Sequence, residues 1–510
     1  MRQFTSGMTP TEAGAIQHID MDQQVSNPSL DRMALDGVTL AQQRWVATPL
    51  RQRLAVIRRL RRKIAAGARE LAETIPTDLT GALHRTVADS LGAEVLPVMS
   101  ACRFLEREAA GILRTRRLSG DGRPAWVIGV EAEIERVPWG TVLLVGASNY
   151  PLLLAGVQTL QALAAGNAVL WKPAPGTETV AFALRLLLLE SGLPAELLTV
   201  LDARVESATQ AMAAGVDYVV LTGSVETGKA VLRQLAETMT PAAMELSGCD
   251  AVFVLPGADL EHTVQALTFG LRFNGSFTCM APRRVFLAGL SAAQESDFAA
   301  RLQSALSSLV PVPVTQKTRD LLSELIQDAR TQGAEIALDG SNQKDGVAVT
   351  LIQRATPALL AMQTDIFAPF VSVMHTSNVD EALAASAACP YALTASIFGP
   401  ETPARSLAAK LRVGNVLIND VVVPTVDPRI AFGGRGRSGF GVTRGAEGLL
   451  AMTTPRTVQL QRMPLKRAYD PTGEDHIDLF TGLAQMLHGH GLRARWSGLL
   501  RMIGAARKLK

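Results

Sequence analysis

The stretch Thr141-Val142-Leu143-Leu144-Val145-Gly146 decides the fold, because an unbroken apolar run of this kind predicts a strand buried on both faces of a sheet. Helical and strand patterns then alternate along the chain. Helical patterns occur at 153–165, 177–191 and 205–213, and apolar strands at 168–171, 198–201 and 218–221. This alternation predicts a parallel, doubly wound sheet of the α/β class. Such sheets bind ligands at the carboxyl ends of their strands.

The alternation continues after Gly248 and predicts a second α/β domain with its own parallel sheet. Strands are expected at 251–255, 285–287 and 414–419, and helices at 260–272 and 292–309. Upstream of the first strand, apolar residues recur at helical spacing over 40–74, and a second helical stretch covers 91–113. Residues 127–137 alternate in polarity, which indicates an exposed strand or hairpin arm.

Composition places the chain among globular proteins of more than one domain. It has 510 residues, of which 47% are hydrophobic and 19% charged, and its formal net charge is only +3. A charge this small gives no sign of nucleic-acid binding. Residues 1–31 lack the apolar core of a signal peptide, and no apolar run reaches about eighteen residues. We therefore expect a cytoplasmic protein without a membrane span.

The spacing of the cysteines argues against two structural roles for them. Cys102, Cys249, Cys279 and Cys389 stand apart without CxxC spacing. They indicate neither a disulfide framework nor a zinc site, and they fit a reducing compartment. We expect no metal, and we interpret His488-Gly489-His490 as a turn.

Cys279 and Glu245 form the first candidate pair for catalysis. Glu245 lies in Met244-Glu245-Leu246-Ser247-Gly248, thirty-four residues before Cys279. A thiolate can attack a carbonyl carbon, and a carboxylate can take a proton from the thiol or from a hydrolytic water. Three alternatives stay open: Cys279 as a small buried hydrophobe, Glu245 as an ion-pair partner, and Cys249 as the nucleophile. We favour Cys279 because it follows a glycine-bearing loop, where a thiol can face a cleft.

Three further segments follow predicted strands. Asn149 can stabilise an oxyanion with its amide, or it can cap the next helix, whose first turn holds Pro151. Lys172 can hold a ribose hydroxyl or a phosphate, or it can simply be solvated. Leu221-Thr222-Gly223-Ser224-Val225-Glu226-Thr227-Gly228 has GxxxxG spacing at a strand-to-helix junction. Backbone N–H groups there can meet a pyrophosphate, and a plain turn is the alternative.

In this order and spacing, the segments resemble the aldehyde dehydrogenase superfamily over about residues 40–460. Three more segments share the resemblance: Thr364-Asp365-Ile366-Phe367-Ala368-Pro369, Gly414-Asn415-Val416-Leu417-Ile418-Asn419, and the turn Phe432-Gly433-Gly434 with Ser438-Gly439. The resemblance implies oxidation of a small-molecule aldehyde to a carboxylate, with NAD or NADP as cofactor.

The same resemblance implies a role for each candidate residue. Cys279 would attack the aldehyde, the Asn149 amide would hold the oxyanion, and Glu245 would activate the water that hydrolyses the thioester. Cofactor-binding roles fall to Lys172, Gly223, Ser224, Gly228, Asp365 and Phe367. Relatives that acylate coenzyme A generally lack a glutamate at the position of Glu245, so its presence favours hydrolysis.

Several residues depart from the family pattern. Ser276-Phe277 replaces the usual Gly-Gln before the nucleophile, Asp365 is one methylene shorter than the usual Glu, and Thr443 stands where many relatives have a second glutamate. Pro175 replaces an acidic residue that reads the 2′-hydroxyl of NAD, so NAD and NADP both stay open. These changes also keep open a non-catalytic relative that serves as a scaffold.

A second enzymatic alternative is a semialdehyde dehydrogenase for a small charged substrate. An arginine in the substrate funnel would favour it, and Arg283 and Arg284 are the candidates near the nucleophile.

These expectations give a domain plan. An N-terminal arm (1–30) precedes a dinucleotide-binding domain (31–118 and 138–247), a catalytic domain (248–437), an oligomerisation arm (119–137 and 454–463) and a C-terminal amphipathic helical tail (464–510). In the oligomerisation arm, 127–137 should pair with a strand near 456–462. Because an exposed edge strand can be completed by a second chain, we expect a homodimer or a higher homo-oligomer.

The tail lies outside the family pattern. Two apolar faces are expected in it, one with Leu479, Leu483, Met486 and Leu487, the other with Leu492, Trp496, Leu499, Leu500 and Ile503. Around the second face lie Arg493, Arg495, Arg501, Arg507, Lys508 and Lys510. A basic amphipathic helix of this kind suits peripheral contact with a membrane, and the substrate would then be a long-chain or lipid-derived aldehyde. The alternative is a helix that docks on the body of the protein or on a partner subunit.

Overall fold

The computed structural model describes residues 32–78, 85–124, 127, 129–341, 346–463 and 471–509. The predicted N-terminal arm, 1–30, lies outside these residues. The chain divides into a larger unit, Met1–Thr115 with Glu135–Arg456, and a smaller unit, Arg116–Ile134 with Thr457–Lys510.

Strands and helices alternate along the chain, as the sequence predicts. The strands are β1 (Arg116–Arg117), β2 (Val130–Pro138), β3 (Thr141–Val145), β4 (Ala168–Lys172), β5 (Leu198–Val200), β6 (Tyr218–Gly223), β7 (Ala242–Leu246), β8 (Asp250–Val254), β9 (Pro282–Ala288), β10 (Glu335–Leu338), β11 (Thr350–Gln353), β12 (Phe370–Thr376), β13 (Tyr391–Ala392), β14 (Thr394–Phe398), β15 (Asn415–Ile418), β16 (Arg435–Gly436), β17 (Gly439–Phe440) and β18 (Thr453–Gln461). The helices are α1 (Arg32–Ala47), α2 (Leu50–Ala66), α3 (Ala68–Glu73), α4 (Val87–Ser90), α5 (Leu96–Ile112), α6 (Leu153–Ala165), α7 (Glu178–Glu190), α8 (Val205–Ala214), α9 (Val225–Ala236), α10 (Leu260–Arg272), α11 (Ala292–Ser307), α12 (Gln316–Thr331), α13 (Val379–Ala387), α14 (Glu401–Ala408), α15 (Gly445–Ala451), α16 (Asp475–His488) and α17 (Gly491–Lys508).

The helical stretch expected over 40–74 is divided in the structure among α1, α2 and α3. Pro49 precedes α2 with extended backbone. A proline disfavours the α conformation in the residue before it and has no N–H to continue a helix, so α1 ends at Ala47. Gly67 separates α2 from α3. Further on, a turn of π-helix, Leu91–Val95, joins α4 to α5. The apolar periodicity of the sequence therefore predicted the buried face of these helices correctly, but it did not predict where one helix ends and the next begins.

The first sheet has the strand order β17-β7-β6-β3-β4-β5. The strands from β3 to β7 are parallel, and β17 pairs antiparallel with β7. Every residue of β3 and β4 is buried, which explains their unbroken apolar sequences. The strand order reverses at β3, so a crevice beside its carboxyl end is where such a sheet binds ligands.

Helix α6 leads from β3 to β4 and is buried from Leu154 to Ala165. Most of its residues are apolar on every side, as in a helix inside a protein, and its small side chains allow close packing. It ends at Gly166, whose φ of 107° is left-handed and whose N–H donates to the carbonyl of Ala162. The glycine turns the chain directly into β4.

The second sheet has the strand order β10-β11-β12-β9-β8-β14-β15. All of its pairings are parallel except that of the edge strand β10 with β11. Phe253 and Phe286 stack across β8 and β9 with ring centroids 5.2 Å apart. The expected fold class, two doubly wound parallel sheets, is thus confirmed. The predicted domain boundary at 247/248 falls between β7 and β8.

The smaller unit contributes to a three-stranded sheet of order β1-β2-β18. The predicted pairing of the arm with a strand near 456–462 is therefore present. Arg462 forms an ion pair with Glu131 at 2.6 Å within this unit. The expected helical tail follows as α16 and α17, which Gly489 and His490 connect. No helix in the described ranges is both long and apolar enough to cross a membrane.

We predict that Gly439→Ala in β17 destabilises the first sheet. Gly439 has a φ of 97°, and a Cβ there would lie 1.9 Å from the carbonyl oxygen of Met244. The left-handed backbone alone costs about 1–3 kcal/mol for a residue other than glycine, and the clash adds to this cost. The apparent melting temperature, followed by circular dichroism, should fall.

Gly215→Ala is the matched control, because its φ is 104° and no described atom lies within 4 Å of the added Cβ. It should lower the melting temperature less. Equal effects of the two variants would show that the contact between β17 and β7 is not tight.

Candidate active site

The candidate residues of the first sheet lie at one edge, because parallel strands end on the same side. Lys172 is the last residue of β4 and lies beside Val145, the last residue of β3. Glu245 in β7 lies beside Thr222 in β6. Asn149 follows β3 by four residues. The sheet therefore brings these three predicted side chains to one crevice.

Cys279 lies in the loop between α10 and β9. Three consecutive residues of this loop, Asn274, Gly275 and Ser276, have φ values of 53°, 60° and 64°. This left-handed run reverses the chain and places Cys279 half-buried at the crevice. The hydroxyl of Thr278 forms a 2.7 Å hydrogen bond with that of Tyr150. This hydrogen bond connects the loop that carries Cys279 to the loop after β3.

A buried ion pair, which the sequence analysis did not identify, supports both loops. Arg85 pairs with Glu94, and both side chains are almost fully buried. Nη2 of Arg85 donates to the Asn149 carbonyl at 2.8 Å and to Oδ1 of Asn274 at 2.7 Å. Oε2 of Glu94 accepts from the N–H groups of Leu152 and Leu153. The only local sign was a glutamate within an apolar helical stretch.

Asn149 is 7% exposed. Its Oδ1 accepts a 3.1 Å hydrogen bond from the N–H of Tyr150. Among the described residues none accepts a hydrogen bond from its Nδ2, and the residue lines a cavity together with Cys279. The side-chain amide can therefore donate to an oxygen that is bound beside the thiol.

Glu245 is 3% exposed, and its two oxygens differ in their surroundings. Oε2 accepts a 2.8 Å hydrogen bond from the hydroxyl of Thr443, whereas Oε1 has no partner in the described chain. Burial raises the pKa of Glu245, and the positive charge of Arg444 and the Thr443 hydrogen bond lower it in part. A raised pKa keeps a carboxylate basic enough to accept a proton near neutral pH.

Arg444 is the second functional residue that the sequence interpretation did not identify. Its guanidinium stacks on the Phe432 ring, 4.3 Å from the centroid, and Nη1 donates to the Thr425 carbonyl at 2.8 Å. No described residue accepts from its buried Nε. Because Arg444 is only 8% exposed, its charge is poorly screened from Glu245 and Cys279.

The state of the Cys279 thiol follows from the same surroundings. Burial, and next the negative charge of Glu245, raise the pKa of Cys279 far above its ordinary value. The thiol therefore holds its proton at neutral pH, and a neighbouring base would make it more nucleophilic.

Two cavities meet at Cys279 and Glu245. The first, of about 300 Å³, is walled mainly by apolar side chains: Leu153, Phe269, Phe273, Met280, Val422, Val426 and Phe432. The second, of about 380 Å³, runs along the carboxyl ends of the first sheet. Leu154, Glu245 and Cys279 line both cavities. A molecule in either cavity can therefore reach the thiol.

The second cavity gathers most of the predicted cofactor residues. Lys172, Gly223, Ser224 and Phe367 line it. Ser224 caps α9, accepting a hydrogen bond from the N–H of Thr227, so the positive end of the helix faces the cavity. Gly228 has another role: a Cβ on it would lie 3.0 Å from a methyl of Leu246. It lets α9 approach β7.

Asp365 lies in an adjoining cleft of about 600 Å³, which Ser224 and Phe367 also line. Burial raises the pKa of Asp365 to about 6, against the opposing charge of Arg283. Its Oδ1 has no hydrogen-bond partner among the described residues. An unpartnered carboxylate oxygen beside the cofactor cavity fits a ribose hydroxyl.

Arg283 and Arg284, which follow Cys279 closely in the sequence, do not line the apolar cavity. Arg283 is buried and donates to the Ser276 hydroxyl at 2.9 Å and to the Ala368 carbonyl at 2.6 Å. Arg284 donates to the Cys249 carbonyl. Ser276, which departs from the family pattern, thus accepts a hydrogen bond that holds Arg283 in place. Cys249 is 1% exposed and lines neither cavity, whereas Cys279 lines both.

Comparison with known proteins identifies the class. The chain belongs to the aldehyde dehydrogenase family, whose family model matches residues 23–458. It is an NAD(P)-dependent aldehyde dehydrogenase, which confirms the family and the enzyme class expected from the sequence.

Three similar proteins illustrate the range of the family. The chain is 29% identical over 479 residues to 4,4′-diapolycopene aldehyde oxidase from Methylomonas sp, covering 91% of this chain and 88% of the relative. It is 26% identical over 436 residues to an NAD(P)+ succinate semialdehyde dehydrogenase of Escherichia coli strain K12, covering 82% and 90%. The crystal structure of an NADP-dependent glyceraldehyde-3-phosphate dehydrogenase from Bacillus halodurans C-125, complexed with NADP, superposes with a TM-score of 0.77 at 26% identity. That match covers 86% of this chain and 93% of the other.

We predict that Arg444→Met raises the pKa of Glu245, because the arginine charge favours the ionised carboxylate. A base acts only when it is deprotonated, so the acidic limb of the pH–rate profile for aldehyde oxidation should move to higher pH. Thr443→Val should move it in the same direction by removing a hydrogen bond.

Arg444→Lys keeps a positive charge and serves as the matched control, with a smaller expected displacement. Circular dichroism would establish that each variant is folded. An unchanged acidic limb in folded Arg444→Met would contradict the electrostatic role.

Proposed function

We propose that this enzyme oxidises an apolar, lipid-derived aldehyde to its carboxylate through a covalent intermediate on Cys279. The observation that carries the proposal is the meeting of two cavities at Cys279 and Glu245. One cavity is walled by apolar side chains, and the other has the lysine, the serine-capped helix and the aromatic ring that suit a dinucleotide.

The first step is attack by the thiol. Glu245 accepts the proton as the sulfur of Cys279 bonds to the carbonyl carbon, which gives a thiohemiacetal. The new oxyanion accepts hydrogen bonds from Nδ2 of Asn149 and from the Cys279 backbone N–H. Because the resting thiol is protonated, the reaction depends on a base within reach, and Glu245 shares the cavity wall.

Oxidation then converts the thiohemiacetal to a thioester. A bound NAD(P)⁺ supplies the hydride acceptor. As the hydride leaves the carbon, the oxyanion re-forms a carbonyl group, and the acyl group stays on the sulfur of Cys279. The walls that Phe277 and Phe367 contribute to the second cavity keep this region apolar; their rings lie 4.8 Å apart.

Hydrolysis completes the reaction. Glu245 first releases the proton of the thiol to solvent, and it then takes a proton from water while the oxygen attacks the thioester carbon. The carbon–sulfur bond breaks, the departing thiolate takes the proton from Glu245, and the acid product loses its own proton to solvent and leaves as a carboxylate. Thr443 holds Oε2 of Glu245, so Oε1 is the oxygen that can accept the proton from water.

The proposed cofactor contacts follow from the second cavity and its neighbouring cleft. Lys172 would bind the adenosine ribose, the N–H groups at Ser224 the pyrophosphate, and Asp365 the nicotinamide ribose. Pro175 lines the cavity near Lys172 and brings no negative charge against a 2′-phosphate. The site therefore suits NADP as well as NAD.

The exposed edge strand β18 supports a homo-oligomer. It lies at the edge of its sheet, and Pro455–Gln461 are exposed. An unpaired strand edge offers N–H and C=O groups to a second copy.

A semialdehyde is the second candidate substrate, and Arg444 favours it. The residue lines the apolar cavity with an unpartnered Nε, which could bind a substrate carboxylate. Its contacts with Phe432 and Thr425 place it next to Glu245 rather than at the far wall. A charged substrate would therefore have to be short.

We predict that Cys279→Ala lowers the rate of NAD(P)H formation by roughly six orders of magnitude, because the covalent step is lost. Glu245→Gln should remove steady-state turnover by blocking hydrolysis. Because the thiol then also lacks its base, little acyl-enzyme should accumulate on Cys279, as mass spectrometry of the intact protein would show.

Cys249→Ala is the control, since its thiol is buried outside both cavities. Absorbance of NAD(P)H would be followed with a panel of aldehydes and both cofactors. Turnover that persists in Cys279→Ala would contradict the mechanism. Absence of turnover on every aldehyde would favour a non-catalytic protein that serves as a scaffold.

We predict that kcat/KM rises along a series of unbranched aldehydes until the apolar cavity is filled. Each buried methylene contributes about 0.8 kcal/mol, which corresponds to roughly fourfold in kcat/KM. Semialdehydes with the same number of carbon atoms as the short members of the series provide the comparison. If kcat/KM were higher for the semialdehydes, and if Arg444→Met removed this preference, a semialdehyde would be the better candidate substrate.

A further inference from the structure

The tail helices α16 and α17 form a hairpin in which the backbones touch. A Cβ on Gly498 would lie 2.4 Å from the backbone nitrogen of Met486, and one on Gly482 would lie 2.7 Å from the carbonyl oxygen of Gly498. Gly482, Gly498 and Ala505 are buried. Small residues occupy the face that the helices share, so large apolar side chains of α17 point elsewhere.

The large apolar side chains of α17 are exposed. Leu492 is 85% exposed, Trp496 64% and Leu500 56%. In α16, Ile477 and Phe480 are 63% and 52% exposed. Leu492, Trp496 and neighbouring Leu499 recur at helical spacing on one face of α17. Contiguous exposed apolar groups of this size mark a surface that binds something.

Charge identifies the kind of partner. From Leu479 to the end, the chain has six basic and no acidic residues, whereas the preceding 478 residues have 44 basic and 47 acidic ones. Of the basic residues, Arg501 lies 3.6 Å from Asp478, and Arg495 donates to the Gly489 carbonyl. Among the described residues, Arg493, Arg507 and Lys508 form no ion pair. The surface therefore suits an anionic partner.

We propose that α17 binds the surface of an anionic phospholipid membrane. Leu492, Trp496 and Leu500 would enter the boundary between headgroups and acyl chains, and Arg493 and Arg507 would meet the phosphates. A helix with aromatic and aliphatic residues on one face and arginines beside them lies in this way at a membrane interface. An exposed tryptophan is suited to the same depth, since its ring is apolar and its N–H is polar.

Membrane binding would place the enzyme where apolar aldehydes concentrate. This consequence rests on the proposed function, whereas the binding itself does not. The two are separated by measuring binding without substrate and turnover with a water-soluble aldehyde.

The test is flotation of the full-length enzyme with vesicles in a density gradient. The enzyme should float with phosphatidylcholine vesicles that contain phosphatidylglycerol, and not with phosphatidylcholine alone. Added salt should weaken the binding, because it screens exposed charges. Arg493→Gln should lower vesicle binding about fivefold, the effect of one basic residue at an anionic surface.

Substitution of apolar residues of α17 provides the second part of the test. The double variant Trp496→Ser, Leu500→Ser should no longer float. Met239→Ser is its matched control, since Met239 is an 86% exposed apolar residue of the larger unit. Arg51→Gln, at an exposed arginine of α2, is the control for Arg493→Gln. Both controls should float like the unchanged enzyme.

Three outcomes would overturn the proposal. One is absence of flotation with anionic vesicles, and another is equal flotation with neutral ones. The third is unchanged flotation of the Trp496, Leu500 double variant together with a smaller oligomer by sedimentation velocity, because a second copy would then cover this face. Loss of turnover on every soluble aldehyde, with flotation intact, would instead defeat only the proposed function.

Discussion

The Arg85–Glu94 ion pair is the interaction on which the arrangement of the site depends. Two buried charges are costly to desolvate, so they persist only where every donor and acceptor is used. Here the pair is used fully: Arg85 holds the Asn149 carbonyl and the Asn274 side chain, and Glu94 holds the first N–H groups at α6. One ion pair thereby fixes the loop after β3, the helix that follows it and the loop that carries Cys279.

Burial then sets the chemistry of the two central groups. The same low-polarity surroundings raise the pKa of Cys279 and that of Glu245, so the thiol holds its proton at neutral pH beside a carboxyl group that can accept it. Thr443 and Arg444 moderate the effect on Glu245 by a hydrogen bond and a positive charge. A neutral hydroxyl at 443 holds the carboxylate without adding a second negative charge beside it, and Arg444 supplies the opposite sign.

Departures from the family pattern become intelligible through their contacts. The hydroxyl and the carbonyl of Ser276 accept hydrogen bonds from the buried Arg283, which hold Ser276 in place. Phe277 packs against Phe367 in the cofactor cavity. Both residues have structural partners, so the unusual segment before Cys279 is well packed in this fold. The shorter Asp365 still lines the cleft beside Ser224.

The sequence by itself determined the two parallel sheets, the family and the candidates Cys279, Glu245 and Asn149, because buried strands and strand ends leave local patterns. It also determined the amphipathic tail. Only the tertiary structure decided what surrounds them: Arg85 lies 64 residues from Asn149, and Thr443 lies 198 residues from Glu245. Contacts between residues so far apart depend on how the sheets and loops pack, and no local periodicity or spacing records that packing.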